Sequence, residues 1–111
     1  MLDKAEYYHG AAIVRLMEDE RCKAVRRHGK LGYAVNDDVF VLIKYTTKGR
    51  SPWGFTFDMD DVDRCHQMTG KFRKTTIGLV CGGDGVCAIT WDEALNILNG
   101  QPGRIATGRK H

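Results

Sequence analysis

The residues best suited to chemistry cluster around one stretch, VFVLIKYTTKGRSPWGFTF at 39–57. Lys44 closes its apolar run, Lys48 and Arg50 follow in a basic loop, and Trp53 leaves it. A second basic stretch, RCKAVRRHGK at 21–30, holds five Lys/Arg and no acid, with Arg26 and Arg27 at its centre. Cations neutralise phosphates, and an aromatic ring beside them can stack on a base. Arg26, Arg27, Lys44, Lys48, Arg50 and Trp53 are therefore the candidate nucleic-acid contacts. The plainer use of the same residues is a lysine reaching solvent from a strand end, with Trp53 anchoring the core. Glu6 and His9 lie one helical turn apart, a spacing at which a carboxylate raises the imidazole pKa for acid–base work. With Lys44 they make a candidate catalytic set. The commoner use of such a pair is a capping Glu and a His packed at the core edge.

Other polar runs point away from chemistry. DMDDVD at 58–63 holds four acids, but the segment has no Gly at the sixth position and no Glu at the twelfth, so it fails as a calcium loop and reads as a capped helix start. GGDG at 82–85 is followed by a strand pattern rather than a helix and reads as a hairpin turn, not a nucleotide loop. Ser51 lacks the G-x-S-x-G context of an activated serine. The four cysteines, Cys22, Cys65, Cys81 and Cys87, form no C-x-x-C pair and read as small hydrophobes rather than metal ligands. No metal or cofactor is expected.

The totals describe an ordinary globular chain. Its 111 residues fit one domain, 1–111, with 42% hydrophobic and 28% charged residues. No apolar run approaches the roughly 20 residues of a membrane span. The segment MLDKAEYYHG carries Asp3 and Glu6 and no apolar h-region, so it does not read as a secretory signal, and the cytoplasm is the expected location. The net charge of +3 is modest, but basic and acidic residues fall in separate blocks, which suits a dipolar surface.

These residues need elements to position them. Residues 3–20 read as a helix with Asp3 as N-cap, Glu6 at the capping-box position, and a stripe of Ala12, Ile13, Leu16 and Met17 that continues back to His9. GYAVN at 32–36 and VFVLIKYT at 39–46 read as strands, the second apolar on both sides and so central. WGFTF at 53–57 alternates, with Trp53, Phe55 and Phe57 on one face. A helix over 59–70 follows, capped by Asp58, with Met59, Val62, Cys65 and Thr69 facing inward. Strands at 75–81 and 86–90 flank the GGDG turn. Thr90 and Glu93 form a capping box for a last helix, whose Trp91, Ala94, Leu95 and Leu98 share a face and which Asn99-Gly100 ends. Residues 104–107 add a short edge strand. The expected fold is α/β (α+β): a single mixed sheet of about five strands with a three-stranded meander over 32–57, two or three helices on it, and the order α-β-β-β-α-β-β-α.

That order resembles the core of the restriction-endonuclease-like superfamily, which includes the catalytic domain of tRNA-splicing endonucleases. There a first helix precedes a three-stranded meander, then a helix and another strand. The segment KTTIGLVCGGDGVCAITWDEA also looks like the end of a splicing-endonuclease domain. The resemblance covers most of the chain and rests on element order and one hairpin. It implies a nuclease pattern, PD-(D/E)-x-K, in which two acids hold a metal and a lysine assists. Glu6 would then be a helix acid, Asp37 or Asp38 the first acid, and Lys44 the lysine. Leu42 stands where the second acid belongs, which removes a metal ligand. Tyr45, His9 and Lys44 supply the residue types of a metal-free splicing site, but in a different order and spacing.

Three functions follow as expectations. The first is a small nucleic-acid-associated protein of this fold without metal-dependent cleavage. The second is a non-enzymatic adaptor or regulatory module that binds a protein partner or itself through the aromatic strand. The third is a small hydrolase using Glu6, His9 and Lys44.

Overall fold

The computed structural model describes residues 4–29 and 32–108, and its element order is α-β-β-β-β-α-β-β-α-β. The elements are α1 (Lys4–Met17), β1 (Val25–His28), β2 (Gly32–Val35), β3 (Val39–Thr46), β4 (Trp53–Phe57), α2 (Met59–Thr69), β5 (Lys74–Cys81), β6 (Gly85–Thr90), α3 (Trp91–Leu98) and β7 (Gly103–Thr107). Five strands form a mixed sheet in the order β1-β2-β3-β5-β6, and β4 pairs with β7 in a separate two-stranded sheet. The α+β class and the mixed five-stranded sheet match the sequence reading.

The composition of the meander differs. It is β1-β2-β3, not the three segments over 32–57. VRRH at 25–28 pairs antiparallel with β2, and β2 with β3. WGFTF does not join this sheet, because the far side of β3 is taken by β5 in a parallel ladder from Val39↔Lys74 to Thr46↔Cys81. With its apolar face formed by Trp53, Phe55 and Phe57, β4 instead lies over the sheet in a second layer, paired antiparallel with β7. The expected edge strand at 104–107 is thus present as the partner of β4.

Alternation along β3 sends side chains to two cores. Phe40 and Leu42 enter the larger one, with Ile77 and Leu79 of β5, Val62 and Cys65 of α2, Trp91 and Leu98 of α3, and the aromatics of β4. Val41 and Ile43 face α1, with Tyr33, Val35 and Val80. The protein is therefore layered, α1 over one face of the sheet and α2, α3 and the β4–β7 ribbon over the other. This two-sided burial is the reason β3 reads as an unbroken apolar run.

The helices need some corrections. The first ends at Met17, not 20, and Met17 is exposed while Ala12 is buried. Asp3 and the side chain of Glu6 lie outside the described residues. In α2, Val62 and Cys65 point inward as expected, but Met59 and Thr69 are exposed, and Met68 and Asp61 fill the buried positions. Both later helices start in capping boxes: Asp58 with Asp61, and Thr90 with Glu93. Asn99 ends α3 in the left-handed conformation at φ 55. Gly32 marks a close approach. A Cβ there would collide with the ring of Phe40, which is fully buried and held in place by the rings of His28 and Phe72.

Two predictions come from this architecture. Gly32→Ala is expected to cost about 1–3 kcal/mol of unfolding free energy in a urea titration, because the fully buried Phe40 ring must shift to admit the methyl group. The second concerns acid. Backbone N–H donation from Asp61 holds the Asp58 carboxyl below its ordinary 3.8, and donation from Thr90 holds Glu93 below its ordinary 4.5. A depressed folded-state pKa means stability that is present above the ordinary value and lost as pH falls through the folded one. Urea midpoints should therefore decline as pH drops below about 4.5, and Asp58→Asn with Glu93→Gln should flatten that decline.

Candidate nucleic-acid interface

Lys44 has the same alternation as Phe40 and Leu42, so its side chain enters the α2 face of the sheet. Its Nζ donates to Asp61 Oδ2 at 2.8 Å, with side chains 20% and 5% exposed. The same Asp61 oxygen accepts the Asp58 N–H at 3.1 Å, and Asp61 N–H donates to Asp58 at 2.9 Å. The lysine also stands 5.4 Å from the centroid of the Phe57 ring. Lys44 thus joins the central strand to the first turn of α2. Removing this ammonium would leave the buried Asp61 carboxylate without its counter-charge. Lys44 is thus placed as a structural cation, its ammonium engaged by Asp61 rather than turned to the surface.

His9 sits on the opposite side of the sheet. It is buried, its Nδ1 is 3.1 Å from the Tyr33 hydroxyl, and its ring lies 6.3 Å from that of Tyr45. Tyr45 and Lys44 are sequence neighbours pointing to opposite faces, so the sheet separates His9 from Lys44. The hydrolase set of Glu6, His9 and Lys44 is not assembled, and the Glu6 side chain is outside the described residues. The nuclease acids do not converge on Lys44 either. Asp38 precedes β3 and pairs with Arg73 at 2.8 Å, while Asp37 pairs with Arg26. Six residues of extended chain separate Asp38 from Lys44, roughly 20 Å.

Trp53 is 4% exposed and its indole N–H donates to the Lys48 carbonyl at 2.9 Å. It is a core anchor, with its ring buried rather than presented to a base. Lys48 and Arg50 remain exposed in the loop between β3 and β4. Gly82 at φ +55 packs so tightly beneath this loop that a Cβ would meet the Lys48 carbonyl, and its N–H donates to the Thr46 carbonyl at 3.1 Å.

Arg26 and Arg27 are exposed on β1, the outermost strand, and alternation sends them to opposite faces. Arg26 shares its face with His28, and the two line an open concavity of about 490 Å³ with Ala34, Asp37, Lys71 and Phe72, while Arg27 borders it. The His28 and Phe72 rings meet edge to face with centroids 5.2 Å apart. The Arg26–Asp37 pair is 70% and 66% exposed on its two sides, so it contributes little and can be exchanged for another anion. Arg26 is in register with Ala34, and Ala34 with Phe40. The loop carrying Lys48 and Arg50 begins after Thr46, six residues further on, so the two basic patches are roughly 20 Å apart along the strand. The structure adds His28, Lys71 and Phe72 to the site. Reading VRRH as a strand would have placed Arg26 and His28 on one face, but the loop GKFR at 70–73 gives no sequence sign that it returns to them.

Among the described residues no cluster of three or more His, Cys, Asp or Glu could hold a metal ion. Burial pushes the Cys65 thiol up to about 12 and raises that of Cys81, so neither is poised as a nucleophile.

Lys44→Met is expected to lower stability by about 3 kcal/mol, the low end for breaking a buried pair because the lysine keeps partial solvent access. A double-mutant cycle with Asp61→Asn, followed by urea denaturation, should give a coupling of about 1–3 kcal/mol. Additive effects would mean the pair carries no structural weight.

No family model matches the chain, no curated protein matches its sequence, and no solved structure matches its fold.

Proposed function

We propose that this protein associates with nucleic acid through the concavity at the β1 edge and does not cleave it by metal-dependent chemistry. The observation carrying this reading is the convergence of Arg26, His28, Lys71 and Phe72 on one open surface, with Arg27 at its border. Two flexible cations can neutralise neighbouring phosphates, and the half-buried Phe72 and His28 rings offer a rigid wall for a base or sugar. Lys48 and Arg50 form a second basic patch roughly 20 Å away, which a ligand the length of about six duplex base steps would reach. A restriction-endonuclease-like fold remains part of the proposal. Its support is a helix, an antiparallel three-stranded meander and, after the intervening β4, a crossover helix and a strand parallel to the third; β4 itself, paired with β7 outside the sheet, departs from that order. Leu42 in place of an acid, and Lys44 held by Asp61, support binding without cutting.

No helix among the described residues is long and apolar enough to cross a membrane. A cytoplasmic location belongs to the same reading. A protein-interaction role is the second reading: the aromatic face of β4 expected to carry it is buried in the core, and the uncharged β6 strand, an edge of the sheet among the described residues, favours it instead.

Fluorescence anisotropy with labelled single- and double-stranded DNA and RNA tests the first reading. Binding should weaken steeply with salt. Arg26→Ala with Lys71→Ala should reduce the slope of log K against log salt by roughly 2, one per lost phosphate contact. Absence of binding to every probe at low salt, or an unchanged slope in the double variant, would sink the proposal.

A further inference from the structure

Among the described residues the five-stranded sheet ends in two unpaired edges of opposite character. At one end, β1 lies within the 21–30 segment, which has five bases and no acid. At the other, β6 lies within DGVCAITWDE at 84–93, which has three acids and no base. A bare strand edge is a template for another strand, and proteins usually blunt it with lysine, proline or a bulge. Residues 85–90 contain neither charge nor proline. We propose that the protein self-associates head to tail, the β6 edge of one copy receiving the β1 strand of a second copy.

Strand directions permit this joint. From β1 to β6 the pairings are antiparallel, antiparallel, parallel and antiparallel, so β1 and β6 run in opposite directions. A second copy in the same orientation therefore brings its β1 antiparallel to β6 and keeps its α1 on the same side. The faces also match. Val25 and Arg27 are in register with Val35 and Tyr33 on the α1 side, and Val86 and Ala88 with Val80 and Gly78 on that side. Beside Gly78 and Ala88 the sheet surface is hollow, with about 440 Å³ of space between α1 and the β6 edge. Small residues there leave room for the side chains of an incoming strand.

Charge selects the occupant. Joining β1 to β1 sets two basic strands against each other. Joining β6 to β6 antiparallel brings the acidic ends of both strands together. Only β1 against β6 sets opposite signs side by side, which favours the right partner and repels the wrong ones. Such a joint uses two different surfaces, so copies add in a row rather than close as a pair. Arg26 and His28 lie on the other face of β1, whereas Arg27 also borders the nucleic-acid concavity, so association is read on protein freed of nucleic acid.

Sedimentation velocity on protein freed of nucleic acid tests it. The average mass should rise with concentration beyond that of a dimer and fall as salt is added. Ala88→Lys blocks the β6 edge, and Lys23→Glu with Arg27→Glu reverses the β1 edge; all three positions are exposed. Each variant alone should associate roughly tenfold or more weakly than the unmodified protein. Mixed together they should form a complex, because each retains the intact edge the other lacks. A monomer at every concentration, variants that associate as strongly as the unmodified protein, or two variants that ignore each other when mixed would overturn the proposal.

Discussion

A carboxylate only 5% exposed needs a cation, and Asp61 has Lys44. This pair sits where the layers meet. Lys44 belongs to the central strand, Asp61 to the first turn of α2, and the same carboxylate closes the capping box that starts that helix. The helix is the crossover that returns the chain from β4 to β5, and β5 runs parallel to β3 over eight residue pairs. Strand position, helix start and crossover are therefore coupled through one ion pair over the Phe57 ring. Burying two charges is costly, but geometry that satisfies both can hold a register that apolar packing alone leaves loose.

Much of this was legible in the sequence where local chemistry decides the outcome. Asp58, Thr90, Glu93 and Asn99 announce their caps because capping depends on a few neighbouring residues. The apolar run of β3 announces a strand buried on both faces. What local pattern could not reveal was pairing. WGFTF has the alternation of a meander strand, yet β5 already occupies the edge of β3. VRRH hid as a basic stretch because an edge strand with exposed arginines has little apolar content to show. Lys44 was ambiguous for the same reason. Its partner lies 17 residues away, and Asp61 looked like one capping acid among four.

The candidate site was legible only in part. Arg26 and Arg27 lie where a basic surface was sought, and Lys48 and Arg50 remain exposed. Trp53 and Lys44, the most eye-catching residues of the opening stretch, are taken up by the core. Their place beside Arg26 is filled by His28, Lys71 and Phe72, brought together by the edge of the sheet and the loop after α2. Structural demand has thus drawn the aromatic and the lysine inward and left the arginines of the outer strand exposed.

An amide and indole chemical-shift titration with a short single-stranded oligonucleotide tests this division most directly. Shifts are expected to concentrate at residues 25–28 and 70–73, with the Trp53 indole N–H unmoved in its bond to Lys48. Shifts centred on Trp53 and Lys44, with the β1 edge silent, would contradict it.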